Sequence, residues 1–221
     1  MRKPAAIDWR YDRAELTADG VVHVTGVALA LIGAVAVVWI AIEQTTATAV
    51  LGATVYALCL IATLSLSAIY NMWPVTPTKW LLRRLDHAGI FLLIAGTYTP
   101  LALQMGPEGY RFLIGVWCCA VLGMVFKVWL VGRGDKIAVL LYLALGWSGV
   151  AMSGLIAATL TDWTIVLILA GGLAYTGGVV FHLWSRLRFQ NAIWHGLVLA
   201  GAATHYGAIL LTVLAGPATA G

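Results

Sequence analysis

Residues 49–74, AVLGATVYALCLIATLSLSAIYNMWP, form a run without a charged side chain. A helix rises about 1.5 Å per residue, so a run of this length crosses the hydrocarbon layer of a bilayer, which is about 30 Å thick. Near its end stand Ser67 and Asn71, four residues apart and therefore on one face of the helix. Polar side chains at the end of a membrane helix are costly, and they indicate a functional site.

The whole chain has the composition of a membrane protein. Of its 221 residues 62% are hydrophobic and only 10% are charged, and the mean hydropathy is +0.93. A soluble domain needs about 25% charged residues. We predict an all-α bundle of seven transmembrane helices, at residues 24–42, 49–70, 88–105, 112–131, 137–160, 165–181 and 192–215. Residues 1–23 are then an amphipathic N-terminal arm, residues 24–215 the membrane domain, and residues 216–221 a short outer tail.

The Lys and Arg residues predict the orientation of this bundle. If the N-terminus is cytoplasmic, all 13 of them except Arg111 fall in segments on the inner side. Basic residues beside membrane spans are held in the cytoplasm, so we expect the N-terminus inside and the C-terminus outside. The same asymmetry explains the basic pI without a nucleic-acid partner. The first residues lack the apolar core and cleavage site of a signal peptide, so we expect none to be removed.

Three predicted helix ends bring polar side chains to the inner leaflet. The converging side chains are Ser67 and Asn71, then Asp86 and His87, then Asn191 and His195. His205 does not belong to this set, because it lies about 15 Å deeper in the membrane than His195. The arrangement favours a functional site at this end of the bundle.

Each of these side chains also has an ordinary structural interpretation. Ser67 can bond back to a carbonyl of its own helix, and Asp86 can cap the start of the third helix. Asn71 can satisfy carbonyls at a helix end, and His195 can lie at the interface with one ring nitrogen bonded to a carbonyl. The residues alone do not decide between these interpretations and a shared site.

Three segments carry a resemblance to a known family. They are ELTADGVVHVTG (15–26), with His23 and Gly26 in place, the helix-three segment LRRLDHAGIFLLIAGTYTP (82–100), and RLRFQNAIWHGLVLAGAATHYGAIL (186–210). Together with SAIYNMWP (67–74), they resemble the hemolysin III family, the bacterial branch of the progestin and adipoQ receptor superfamily. The resemblance implies a seven-helix fold in the bacterial inner membrane, with the N-terminus inside.

The resemblance also implies a zinc site near the inner leaflet. The superfamily holds zinc by one histidine that ends helix two and by a HxxxH pair on helix seven, with a serine and an aspartate nearby. Carried over, the catalytic residues are Ser67, Asp86 and His195, whereas two ligand positions hold Asn71 and Asn191. Amides are poor zinc ligands, so tight zinc binding needs substitutes from His195, Asp86, His87 or His182, or a harder ion such as Mg²⁺. Otherwise the pocket, which includes Tyr70, is a hydrogen-bond network without a metal.

Three functions follow as hypotheses. The first is membrane-lipid homeostasis or lipid sensing, with membrane lipids or fatty acids as partners and a homodimer as an additional option. The second is a lipid amide or ester hydrolase similar to alkaline ceramidases, in which zinc activates a water. The third is the cytolysin or pore former that the family name suggests; the lack of a continuous polar path across the bilayer argues against it.

Overall fold

The structure is a computed structural model that describes residues 11–129 and 135–215. Within these residues it contains helices and no strands, so the predicted all-α class is confirmed. The helices are α1 (Arg13–Gln44), α2 (Ala47–Met72), α3 (Pro77–Ala102), α4 (Gly106–Trp129), α5 (Asp135–Gly146), α6 (Ser153–Thr159), α7 (Asp162–Leu183) and α8 (Gln190–Leu214). Short 3₁₀ helices at Leu103–Met105 and Ser148–Met152 precede α4 and α6.

Six helical stretches among the described residues are long and apolar enough to cross a membrane. One of them, Pro77–Trp129, is 53 residues long and contains both α3 and α4. The chain between these two helices bends at Gly106, whose φ of +64° is a conformation that glycine adopts without strain. The count of seven crossings and the orientation of the termini stay predictions.

Helix α1 begins earlier than the first predicted span. Asp12 caps it by accepting from the Glu15 backbone N–H at 2.8 Å, and the Glu15 carboxylate accepts from the Asp12 N–H at 2.9 Å. This reciprocal capping box starts the helix at Arg13. The second half of the predicted arm is therefore continuous with the first membrane helix. Residues 1–10 of the arm and the tail at 216–221 lie outside the described residues.

Helix α3 also begins earlier than predicted. It starts at Pro77, with Thr76 as its N-cap residue. Proline is favourable at the first helical position because its φ is already fixed near the helical value. The N–H that proline lacks would have no partner within the helix at this position. Asp86 therefore lies more than two turns inside the helix. The interpretation of Asp86 as an N-cap is wrong.

The fifth predicted span, residues 137–160, is broken rather than continuous. Helix α5 ends at Gly146, the 3₁₀ helix follows, and α6 resumes at Ser153. The Tyr98 hydroxyl of α3 donates to the Gly146 carbonyl and accepts from the Gly149 N–H at 2.9 Å. A non-helical backbone in a membrane protein needs such partners. Gly149 permits this contact, since a Cβ there would lie 3.0 Å from the tyrosine hydroxyl.

Helices α1, α2, α3 and α8 form the main core. Val37, Tyr56 and Ile209 are among its fully buried side chains. Gly52 brings α2 against the backbone of α3 at Pro100, where a Cβ would lie 2.9 Å from the Pro100 Cα. The starts of α1, α3 and α8 and the ends of α2 and α7 meet at one end of the bundle. We call this the basic end, because it carries Arg13, Lys79, Arg83, Arg84, Arg186 and Arg188.

We expect Tyr98→Phe to lower the free energy of unfolding, because the Tyr98 hydroxyl stabilises the break between α5 and α6. The variant removes the partner of the Gly146 carbonyl and of the N–H of the buried Gly149, and a buried group left unpaired costs about 1–3 kcal/mol. The midpoint of thermal unfolding in detergent should fall by at least about 3 °C. Tyr110→Phe is the matched control because Tyr110 is 44% exposed. Equal midpoints for the two variants would contradict the role of Tyr98.

Candidate functional site

The starts of α1 and α8 are joined at the basic end. The second oxygen of the Glu15 carboxylate accepts from the Phe189 N–H at 3.1 Å, and Arg188 donates to Asp12 at 3.2 Å. The Glu15 backbone N–H lowers the pKa of Asp12, so this carboxylate stays charged opposite Arg188. Phe189 has a φ of +59°, a conformation unusual for a residue with a Cβ. These contacts set the register between the two helices.

One turn further along α1, the Asp19 carboxylate is buried between α1 and α8. It is 3% exposed, and its Oδ1 lies 2.6 Å from His195 Nδ1. Its Oδ2 accepts from Asn191 Nδ2 at 2.9 Å and lies 3.6 Å from His23 Nε2. The His23 and His195 rings are 4.3 Å apart between centroids. Asp19 is therefore the centre of a buried polar cluster.

The cluster continues into α2 through two asparagines. Asn191 Nδ2 donates also to Asn71 Oδ1 at 3.2 Å, and Asn71 Nδ2 donates to the Ser67 carbonyl at 2.9 Å. The Ser67 hydroxyl lies at the limit of hydrogen bonding from the same amide, 3.5 Å away. Ser67, Asn71, Asn191 and His195 thus lie in one network, and Asp19 connects its last two members.

Helix α3 adds a second group of polar side chains. The Asp86 carboxylate lies 3.3 Å from His87 Nδ1 and beside the Ser67 side chain. The Tyr142 hydroxyl of α5 donates to the His87 carbonyl at 2.9 Å, and the Tyr70 ring lies edge-on to the His87 ring. The structure thus places Asp86, His87 and Tyr70 beside the network around Asp19.

Lys79 caps the C-terminal end of α2, next to these residues. It is buried, and its ammonium group donates to the carbonyls of Trp73 at 2.7 Å and of Asn71 at 3.2 Å. A cation at these carbonyls satisfies acceptors that the end of a helix leaves without partners. The same contacts hold the start of α3 against Asn71.

Two other histidines lie apart from the Asp19 cluster. His182 packs against the Trp194 ring, with 4.9 Å between centroids. His205 is next to Ile168, whose carbonyl is 3.1 Å from its Nε2, and it packs on the Tyr175 ring. Gly171 makes room for His205, since a Cβ there would overlap its ring. His205 lies away from the Asp19 cluster, but it lines the cavity that opens from this cluster.

A large cavity connects the polar cluster to the apolar interior. Its volume is about 1020 Å³, and Asp19, Asn71, Asp86 and His195 line it at the basic end. Beyond them the lining is mainly apolar and includes Leu93, Leu101, Ile156, Ile168 and Ala208. Along α3 the lining extends from Asp86 to Ala102, about 24 Å at the helical rise per residue. The cavity is thus polar at one end and apolar along most of its length.

Comparison with known proteins assigns the chain to a family. Residues 13–206 match the family model described as "Haemolysin-III related". The chain belongs to the haemolysin-III family. It is 35% identical to "Hemolysin-3" of Bacillus cereus over 202 residues, which cover 90% of this chain and 92% of the relative. It is 31% identical to the "Hemolysin-3 homolog" of Bacillus subtilis (strain 168) over 198 residues, which cover 89% of this chain and 93% of the relative.

This haemolysin-III protein also has a more distant human relative. It is 31% identical to "Monocyte to macrophage differentiation factor" of Homo sapiens over 128 residues, which cover 56% of this chain and 52% of the relative. The relation agrees with the predicted place of the family in the progestin and adipoQ receptor superfamily. No solved structure matches the chain.

The zinc ligands that the resemblance implies fit this haemolysin-III protein only in part. Neutral amides are poor zinc ligands, and the Asn71 amide oxygen, the atom that would ligate, already accepts a hydrogen bond from Asn191 Nδ2 at 3.2 Å. Asp19, His23 and His195 instead offer three ligand atoms within 4.8 Å of one another. Zinc held by these three would supply Lewis-acid chemistry to a carbonyl group. Asp86, His87 and His182 lie outside this group of three.

Sequence analysis missed Asp19 and Glu15 as parts of the site. Both lie in the segment that was interpreted as an interfacial arm, and His23 was noted only through the family resemblance. The available signal was spacing: Glu15, Asp19 and His23 recur every four residues and so share one helix face. Starting the first helix at the Asp12 and Glu15 capping box would have revealed that face.

We expect Asn191→Leu to destabilise the bundle. The variant leaves Asp19 Oδ2 and Asn71 Oδ1 without this donor, and a buried acceptor that loses its partner costs about 1–3 kcal/mol, more when it is charged. The unfolding midpoint in detergent should fall by at least about 3 °C.

Thr204→Val is the control on the same helix. Its hydroxyl donates only to carbonyls of α8, those of Ala200 and Gly201, so the midpoint should change little. A midpoint for Asn191→Leu as high as that of the control would show that the network adds no stability.

Proposed function

We propose that this haemolysin-III protein binds a membrane lipid or fatty acid and acts in membrane-lipid homeostasis or lipid sensing in the bacterial inner membrane. The observation that carries the proposal is the cavity, with a polar end at Asp19, Asp86 and His195 and an apolar remainder. A ligand with a polar head and an acyl chain matches this division. Its head lies at the basic end, and its chain lies along α3 and α7.

The dimensions of the cavity support a chain-like ligand. Its lining along α3 extends for about 24 Å, close to the thickness of the hydrocarbon layer, about 30 Å. Ile168 and Leu169 of α7 and Ile156 of α6 offer apolar contacts to a chain there. Lys79 and Arg83 line the polar end and favour an acidic head group.

We further propose seven crossings, with α3 and α4 as separate spans and the basic end in the cytoplasm. The 53 residues of the combined stretch would extend about 80 Å as one helix, more than twice the hydrocarbon thickness. The concentration of Arg and Lys at the basic end supports the orientation, because such residues are held on the cytoplasmic side. The ligand head is then at the inner leaflet.

The binding proposal predicts that filling the cavity abolishes lipid binding. Ile168→Trp replaces an aliphatic side chain by a bulky indole ring in the apolar part of the cavity. The affinity of the purified protein for a fluorescent long-chain fatty acid should therefore fall at least tenfold. The measurement is a fluorescence titration in detergent micelles. It is repeated with a fluorescent lysophospholipid, which distinguishes a fatty acid from a lipid that keeps its head group.

Ile32→Trp is the matched control. Ile32 is 68% exposed on α1 and does not line the cavity, so this variant should bind as the unmodified protein does. Thermal unfolding shows whether both variants are folded. Equal binding by the two folded variants, or no saturable binding by the unmodified protein, would refute the proposal.

Lipid ester or amide hydrolysis is a second candidate, favoured by the carboxylate–imidazole pair of Asp19 and His195. With Nδ1 hydrogen-bonded to Asp19, His195 retains Nε2 to take a proton from an attacking water. Asp86 lines the same end of the cavity and can orient that water. The two asparagines are less suited to stabilise an oxyanion, since their amide nitrogens are already hydrogen-bonded.

If the protein is a lipid hydrolase, the purified protein should hydrolyse a fluorescent phospholipid ester or N-acyl amide. His195→Gln removes the base and should lower turnover by about 10²-fold or more. The control Thr204→Val should leave turnover unchanged, because Thr204 lies outside the cluster and does not line the cavity. Turnover equal to a detergent blank, or unaffected by His195→Gln, would exclude this candidate without affecting the binding proposal.

A further inference from the structure

Three side chains from two helices form a group outside the ligand positions that the resemblance implies. Asp19 and His23 are one turn apart on α1, and His195 faces them from α8. Their ligand atoms lie within 4.8 Å of one another. Asp19 and His23 are buried, and the side chain of His195 is 10% exposed. Only His195 belongs to the predicted ligand set.

One ring nitrogen of His23 has no hydrogen-bond partner in this group. Its Nε2 atom is buried and has no hydrogen-bond partner, and the nearest Asp19 oxygen is 3.6 Å away. An imidazole nitrogen that lacks a partner in the interior is costly. This nitrogen points toward the same carboxylate that His195 contacts. A cation between the three groups would give it a partner.

The chemistry of the three groups matches a divalent transition metal. Two imidazoles and one carboxylate are a known ligand set of catalytic zinc, which keeps a position open for water or substrate. Metal–ligand bonds are about 2.0–2.2 Å long, so two ligand atoms of one ion are at most about 4.4 Å apart. The three ligand atoms lie within 4.8 Å of one another, so metal binding requires the His23 and His195 rings to rotate and His195 to exchange its hydrogen bond to Asp19 for the ion.

The neighbours of the group suit a metal site as well. Asn191 donates to Asp19 Oδ2 at 2.9 Å and holds the carboxylate in place, as hydrogen-bonded neighbours of metal ligands do. Asp19 and His195 line the cavity, whereas His23 lies behind them. An ion held by the three would face the cavity on one side, at the place where a ligand head group is proposed.

We propose that Asp19, His23 and His195 form a metal site for zinc, built from α1 and α8. The site replaces the one that the resemblance places at residues 71, 191 and 195. The Asp19 carboxylate and the His23 imidazole supply the ligands that the two asparagines cannot. Metal binding by this group does not depend on whether a lipid occupies the cavity.

The test measures metal in the purified full-length protein, without any substrate. After removal of metal with a chelator and dialysis, zinc is added back and its content per chain is determined by elemental analysis. We expect about one zinc per chain and a rise in the unfolding midpoint with zinc concentration, since an ion that binds only the folded state stabilises it. Co²⁺ in place of zinc should give the absorption bands of a low-coordinate site.

Variants locate the site. His23→Gln keeps a polar side chain of similar size but removes a ligand, and it should weaken zinc binding at least tenfold. Asp19→Asn should do the same, since it removes the only charged ligand. The control His205→Gln removes another buried histidine of the bundle and should keep full zinc content. If Asp19→Asn does not fold, His23→Gln alone decides the matter.

Two outcomes would overturn the proposal. One is a protein that takes up no zinc, Fe²⁺ or Mn²⁺ and whose unfolding midpoint does not respond to them. The other is a folded His23→Gln variant with the zinc affinity of the unmodified protein, which would assign the metal to His195 with Asp86 or His87. Neither outcome concerns fatty-acid binding, so the two proposals fail separately.

Discussion

The arrangement of the basic end depends on one buried carboxylate, that of Asp19. A charge taken out of water is strongly destabilising unless it is paired and hydrogen-bonded. Asp19 meets this requirement only where α1, α2 and α8 come together, because its partners His195 and Asn191 are on α8, and Asn191 is bonded in turn to Asn71 on α2. The register of three helices is thus tied to a single side chain, and the contacts of Asp12 and Glu15 with Arg188 and Phe189 reinforce it.

The residue types at positions 19, 71 and 191 depend on one another. The amide nitrogen of Asn191 has two hydrogens, and it donates to Asp19 Oδ2 and to Asn71 Oδ1. A neutral histidine at position 191 has a single N–H and serves only one of these acceptors. An acid on α1 and amides on α2 and α8 therefore form a matched set. The two asparagines are better understood as partners of Asp19 than as lost metal ligands.

Much of the fold follows from the sequence, because apolar runs of membrane length leave the backbone little choice but a helix. One prediction that failed, a continuous helix in the fifth span, depends on a contact between distant segments. The break between α5 and α6 depends on Tyr98, about fifty residues away in sequence, and within residues 137–160 only Gly146, Gly149 and Gly154 signal it. The early start of α1 was readable from its capping box. The polar residues of α2, α3 and α8 were found by their depth, but Asp19 was missed because it was assigned to an interfacial arm.

The break between α5 and α6 explains how a cavity of this length fits into a bundle of packed helices. Gly146, Gly149 and Ser153 line the cavity, so the broken segment forms part of its wall. An intact helix here would extend α5 straight through this region, whereas the 3₁₀ helix changes the course of the chain beside Tyr98. Because Tyr98 satisfies both a carbonyl and an N–H of the break, the irregular backbone carries little of the cost of exposing such groups to lipid. The wall is thus a stable part of the fold.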